Sequence, residues 1–225
     1  MSTRDDFQPF LEPTFFIDSN SQAVHSFVDQ HCATGDDPVT RAIQMYYAIR
    51  DTIRYDPYSM EASRESLKAS VVIQRGYGYC VAKAIVLAAC ARHAGIPARL
   101  GFADVRNHLN SKRLMALMQT DLFIYHGFTE LYLGGKWVKA TPAFDINLCR
   151  KVGVKPLEFD GTFDSIFHEF NVKGDKHMEY VNDRGNFSDM PFDRIMTESR
   201  KLYPLYFENI EKFGKDFSKE AIPNL

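Results

Sequence analysis

Apolar residues along the chain fall into two rhythms, one of three to four residues and one of two. Residues Ser19 to His31 are weakly amphipathic in the helical rhythm. The stretch "GDDPVTRAIQMYYAIRDTIRYDPYS" carries it more clearly, with Ala42, Ile43, Met45, Tyr46, Ile49 and Ile53 turned to one side. An Asp cap followed by Pro38 opens this predicted helix, and Asp56-Pro57 closes it. "SVVIQ" is a short apolar run into a glycine-aromatic loop, and the loop leads straight to Cys80. Val81, Ala84, Ile85, Ala88 and Ala91 then predict a second helix that stops at Gly95. "ARLGFADV" reads as a strand, and residues 107–120 as a polar loop or short helix. The last seventy-odd residues show mixed helical periodicity broken by Gly153, Gly161, Gly174, Gly185 and Pro191, and are expected to wrap the core.

The two-residue rhythm is strongest in "DLFIYHGFTELYLGGKWVKATPAFD", where two β-rich runs flank Gly134-Gly135. A turn there sets Leu133 opposite Lys136, Tyr132 opposite Trp137 and Glu130 opposite Lys139. Continued, the register sets Phe128 opposite Thr141 and His126 opposite Ala143. His126 then shares a face with Trp137, Lys139 and Thr141, and Asp145 follows one diagonal step away. Diagonal neighbours are about 7–8 Å apart, within reach of an Asp–His hydrogen bond. Pro142 is the weak point of this register, because proline leaves a ladder unpaired.

Composition narrows the setting. With 225 residues, 45% hydrophobic and 25% charged, the chain reads as a single domain over 1–225, its core at about 40–145 and an extension over 146–225. A net charge of −2 with no long basic run argues against nucleic acid and anionic membranes as partners. No apolar run reaches the length of a membrane span, and the acidic N-terminus lacks the core of a signal peptide. The four cysteines at 32, 80, 90 and 149 form no CxxC pair, which favours a reducing, cytoplasmic setting over a disulfide framework or zinc site. His25, His31, His108, His168 and His177 show no metal-ligand spacing, and "DGTFD" at 160–164 reads as a turn.

Chemistry concentrates at Cys80. A sulfur at the first turn of a helix lies at the positive end of the macrodipole, which favours a thiolate. An imidazole can take its proton near neutral pH, and a carboxylate behind the imidazole fixes the tautomer. His126 and Asp145 are the candidates for these roles. Cys32, Cys90 and Cys149 are expected to be small packing residues.

Two segments resemble the transglutaminase-like superfamily. "GYGYCVAKAIVLAACARHAGIPARLGFADV" is similar to its cysteine segment, and "YHGFTELYLGGKWVKATPAF" to its histidine segment, in the family's order. The resemblance covers about residues 40 to 145. It implies a papain-like α+β core, a central helix bearing Cys80 against an antiparallel sheet bearing His126, and Cys–His–Asp chemistry through a thioester acyl-enzyme. It also implies a peptide or protein amide substrate and no metal or cofactor. The family's aspartate falls four residues after the Trp, where this chain has Thr141, so Asp145 is the expected substitute and Thr141 the alternative third residue. Gln74, Tyr77 and Tyr79 are candidate oxyanion helpers beside the Cys80 amide. Acyl transfer, as in transglutaminases or arylamine N-acetyltransferases, and a non-catalytic binding module are the competing readings.

Overall fold

The computed structural model describes residues 4–220 except 34, 61–62, 109, 167–172, 175–176, 210–216 and 218–219. His168 lies outside the described residues. Helix α1 (Gln22–His31) and helix α2 (Pro38–Thr52) come first. Asp37 caps α2 by accepting from the Val39 and Thr40 amides, and Pro38 sits where a missing N–H costs nothing. Strand β1 (Arg54–Tyr55) pairs in parallel with β2 (Tyr77–Gly78), and helix α3 (Ala69–Arg75) lies between them. Thus "SVVIQ" is helical, ended by Gly76 in the left-handed region at φ 70°.

Helix α4 (Cys80–His93) is the centre of the molecule, with every residue from Cys80 to Arg92 buried. A helix that is small and apolar on all sides can be surrounded, and this one is. Helices α1, α2 and α3 pack on it from one side and a four-stranded antiparallel sheet from the other. The sheet runs β5-β4-β3-β6, built from β3 (Ala98–Asn107), β4 (Leu122–Leu133), β5 (Lys136–Ala140) and β6 (Met178–Phe187). Helix α5 (Lys112–Met118) joins β3 to β4, and α6 (Ile146–Lys151) follows β5. Helices α7 (Phe192–Leu202) and α8 (Pro204–Asn209) come after β6. This is the α+β, transglutaminase-like arrangement that the two segments imply.

The hairpin register is as expected from Leu133↔Lys136 to Thr129↔Ala140, and there it stops. Ala140 instead bridges Ser165 in parallel, and the Thr141 amide donates to the Ser165 carbonyl at 2.8 Å. Pro142 has no N–H to continue the ladder, so Phe128–Thr141 and His126–Ala143 do not form as ladder pairs. The C-terminal extension does more than wrap: β6 adds the edge strand beside β3. Its irregular pairing, with register shifts at Phe102/Ala103 and Asp104/Val105, hides the period-two signal that would have marked it.

Candidate active site

Cys80 is the first residue of α4, with Tyr79 as its N-cap. Two glycines bring it there for different reasons. Gly76 supplies a left-handed turn, whereas Gly78 supplies space, since a Cβ on it would lie 2.8 Å from the Ala82 Cβ. The β1–β2 pairing ties this loop to the end of α2, through Arg54 N–H to the Gly76 carbonyl at 2.9 Å and Asp56 N–H to Gly78 at 3.0 Å.

His126 lies on β4 opposite Ala103. Just before it the β3–β4 ladder slips between Ala103 and Val105, and Tyr125 takes φ 57°, a left-handed value that few side chains adopt. This bulge has its own supports. The Tyr125 amide donates to Asp104 Oδ1 at 3.1 Å, and its hydroxyl to Glu198 at 2.8 Å. Arg184 grips both Asp104 oxygens at 2.9 and 2.8 Å and lies over the Tyr125 ring. Strain held in place by such contacts next to a candidate base is the pattern of a positioned site.

Gly127 then lets α4 close onto β4. A Cβ there would stand 2.8 Å from the Val81 Cα, a backbone atom that cannot swing away. The approach brings the start of α4 against the strand that carries His126. Burial pushes the Cys80 thiol up to about 11, and the N–H groups of Gly127, Val81 and Cys80 itself offset part of that rise. Burial likewise pulls His126 down to about 4. Burial thus opposes the thiolate that the helix start is expected to favour, since desolvation raises the thiol and lowers the imidazole.

Cys80 and His126 line one cavity, together with Tyr79 and an apolar wall that includes Tyr55, Phe144 and Met178. The Tyr79 hydroxyl is buried without a hydrogen-bond partner, and burial raises its pKa, so it remains a protonated donor. Gln74 is not part of this cavity. It is exposed on α3 and lines a separate surface depression beside Gln22 and Phe27.

Asp145, expected on the His126 face, caps helix α6 instead. Its Oδ1 accepts from the Leu148 amide at 2.9 Å and its Oδ2 from the Tyr55 amide at 3.1 Å. Its departure follows from the break at Pro142: without a ladder beyond Ala140 there is no alternation to carry it to His126. Thr141 is 2% exposed, and its Oγ1 has no partner. It and His126 line a second, small cavity.

Two features of the site had little sequence signal. Lys83, one turn after Cys80, is fully buried and donates to the Arg50 and Ile53 carbonyls at 2.9 and 2.5 Å, satisfying the end of α2. Burial lowers its pKa to about 7. The apolar wall is assembled from Tyr55, Phe144, Met178 and Tyr206, which lie far apart along the chain. Among the described residues no group of three His, Cys, Asp or Glu comes together as a metal site, and no helix is long and apolar enough to cross a membrane.

The model of the transglutaminase-like superfamily matches residues 25–142, which include both Cys80 and His126. A crystal structure described as "a Putative Cysteine Protease from Cytophaga hutchinsonii" is similar at 16% identity and a TM-score of 0.48, over 83% of this chain. This chain covers 55% of that protein, about half its length. No curated protein matches. With more than half its residues matched by the family model, and the helix and sheet of that family around Cys80, the chain belongs to the transglutaminase-like superfamily.

Proposed function

We propose that the protein is a cysteine-dependent amide hydrolase acting on peptide or protein substrates, with Cys80 as nucleophile and His126 as general base. The observation that carries this reading is the cavity that Cys80 and His126 line together, at the start of α4 and on the strand packed against it.

Burial disfavours charge on both groups, so in this reading the reaction begins with proton transfer rather than from a standing ion pair. The imidazole takes the thiol proton as sulfur attacks the carbonyl carbon, giving a tetrahedral oxyanion. N–H groups at the start of α4 and the unpartnered Tyr79 hydroxyl are the donors available to that oxyanion. Collapse breaks the C–N bond, the imidazolium protonates the departing amine, and a thioester on Cys80 remains. Water then attacks the thioester with His126 taking its proton. The acid leaves and the thiol regains its hydrogen. The Tyr55, Phe144 and Met178 wall suits an apolar side chain next to the scissile bond.

Incubation with a panel of peptidyl amides and thioesters bearing apolar residues, followed by acid quench and intact-mass analysis, tests this. The expected result is an acyl adduct on Cys80, absent in Cys80→Ala. Hydrolysis is expected to fall by about 10²–10⁴ in His126→Ala, the range for loss of a general base. Absence of any Cys80 adduct across amide, ester and thioester probes would overturn the hydrolase reading in favour of a binding module. Adducts discharged only by added amines would favour acyl transfer.

A further inference from the structure

We propose that Thr141 is a positioning residue that holds the His126 imidazole through one buried water, in the place where the expected carboxylate is absent. The inference rests on the reading of Cys80 and His126 as nucleophile and base and adds to it how the base is oriented.

Two buried polar atoms carry the argument. His126 Nε2 and Thr141 Oγ1 each lack a hydrogen-bond partner, in side chains belonging to residues only 8% and 2% exposed. A buried donor or acceptor without a partner is destabilising, so two of them in residues that share a cavity call for an explanation. Both residues line one small cavity, with Ala143, Phe144, Leu157, Ile166 and Met178 completing its wall. Its size suits a single water molecule, the usual means by which proteins satisfy separated buried polar groups.

The backbone of Thr141 is pinned on both sides of the side chain. Its amide donates to the Ser165 carbonyl at 2.8 Å, and its carbonyl accepts from the Tyr46 hydroxyl at 3.2 Å. Tyr46, fully buried on α2, also reaches the Leu157 carbonyl at 3.0 Å, so the anchor is tied to the core. The hydroxyl is therefore held in place and free to serve the cavity. Asp145 does not line this cavity, and its oxygens accept from the Leu148 and Tyr55 amides at the start of α6.

In the proposed arrangement the Nε2 proton of neutral His126 is donated to the water oxygen, and the water donates to Thr141 Oγ1. That fixes the proton on Nε2 and leaves Nδ1 as the lone-pair atom for the thiol proton. A hydroxyl and a water fix the tautomer without supplying a charge, so they orient the base but stabilise the imidazolium less than a carboxylate does.

The test is ¹⁵N NMR of histidine-labelled full-length protein, wild type and Thr141→Ser, Thr141→Val and Thr141→Asp, alongside pH–rate profiles of amide hydrolysis. Wild type and Thr141→Ser are expected to hold the proton on Nε2. Thr141→Val, of nearly equal shape but without the hydroxyl, is expected to lose that preference and to lower kcat roughly 10–100-fold with KM unchanged, as for other partners that orient a histidine. Thr141→Asp is expected to raise the His126 pKa by at least about one unit, because an anion then faces the ring. An unchanged His126 tautomer and titration in both Thr141→Val and Thr141→Asp would overturn the inference. If the NMR changes appear but no Cys80-dependent turnover exists, the contact is supported and the hydrolase reading falls.

Discussion

At the scale of single residues, the site depends on a glycine where a catalytic side chain draws the eye. Gly127 has no functional group, yet it sets the distance between the sulfur and the strand carrying His126. Gly127→Ala would drive a methyl group to 2.8 Å from the Val81 backbone and 2.9 Å from its Cγ2. Neither α4 nor β4 can retreat without disturbing the core around it, so a cost of about 1–3 kcal/mol is expected, the usual range for an overpacked core. Urea unfolding of the variant should show the lower midpoint, and a midpoint equal to wild type would mean that the start of α4 yields to the added methyl group. Cys80 and His126 were legible in the sequence because each sits in a locally recognisable setting, a helix start and a hairpin strand. Their charge state was not. Burial is a tertiary property, and it pushes the Cys80 thiol up to about 11, against the thiolate that the helix start favours.

At the scale of elements, local periodicity carried helices α1, α2 and α4 and the hairpin turn, because each is stabilised by contacts close in sequence or by an apolar stripe. It failed where an element ends for reasons outside itself. The β4–β5 ladder stops at Ala140 because Ser165 takes the next pairing and Pro142 cannot donate, and this frees Asp145 to start α6. The bulge at Tyr125 was equally silent, since its supports, Asp104, Arg184 and Glu198, come from three separate segments. The cap assignment makes a specific forecast. Asp145→Ala removes the acceptor for two amides and should lower stability by about 1–2 kcal/mol, as N-cap losses do. The pH dependence of the Cys80 reaction should keep its shape, measured after correcting for the folded fraction. A shift in that profile would put Asp145 back behind His126.

At the scale of the whole molecule, the same burial that neutralises the site links stability to pH. His126 and His177 are both buried and each is lowered to about 4, His126 by burial and His177 by burial first and the neighbouring His108 second. In the unfolded chain an imidazole titrates near 6.5. Between these values the unfolded state binds protons that the folded state refuses, so stability increases with pH across that window. Going down in pH, the loss begins near 6.5 and is complete near 4, where the folded histidines also protonate. Each residue contributes up to about 3 kcal/mol across the window, from about 1.4 kcal/mol per pKa unit. Carboxylates held low by hydrogen bonds or ion pairs, such as Asp51 and Glu198, act in the same direction but at more acid pH. The histidine part can therefore be separated from them. Urea midpoints measured at pH 7, 5.5 and 4.5 should fall steeply in wild type, and His177→Gln should remove about one proton from that slope whatever it costs at pH 7. His177 lies on the wall of the Cys80 cavity, so the acid transition should also open the site. Cys80 alkylation should rise as the midpoint falls, and to a lesser degree in the His177→Gln variant. A wild-type midpoint that stays flat from pH 7 to 4.5 would show that both rings are already solvated, and the burial that disfavours charge at the site would not hold in solution.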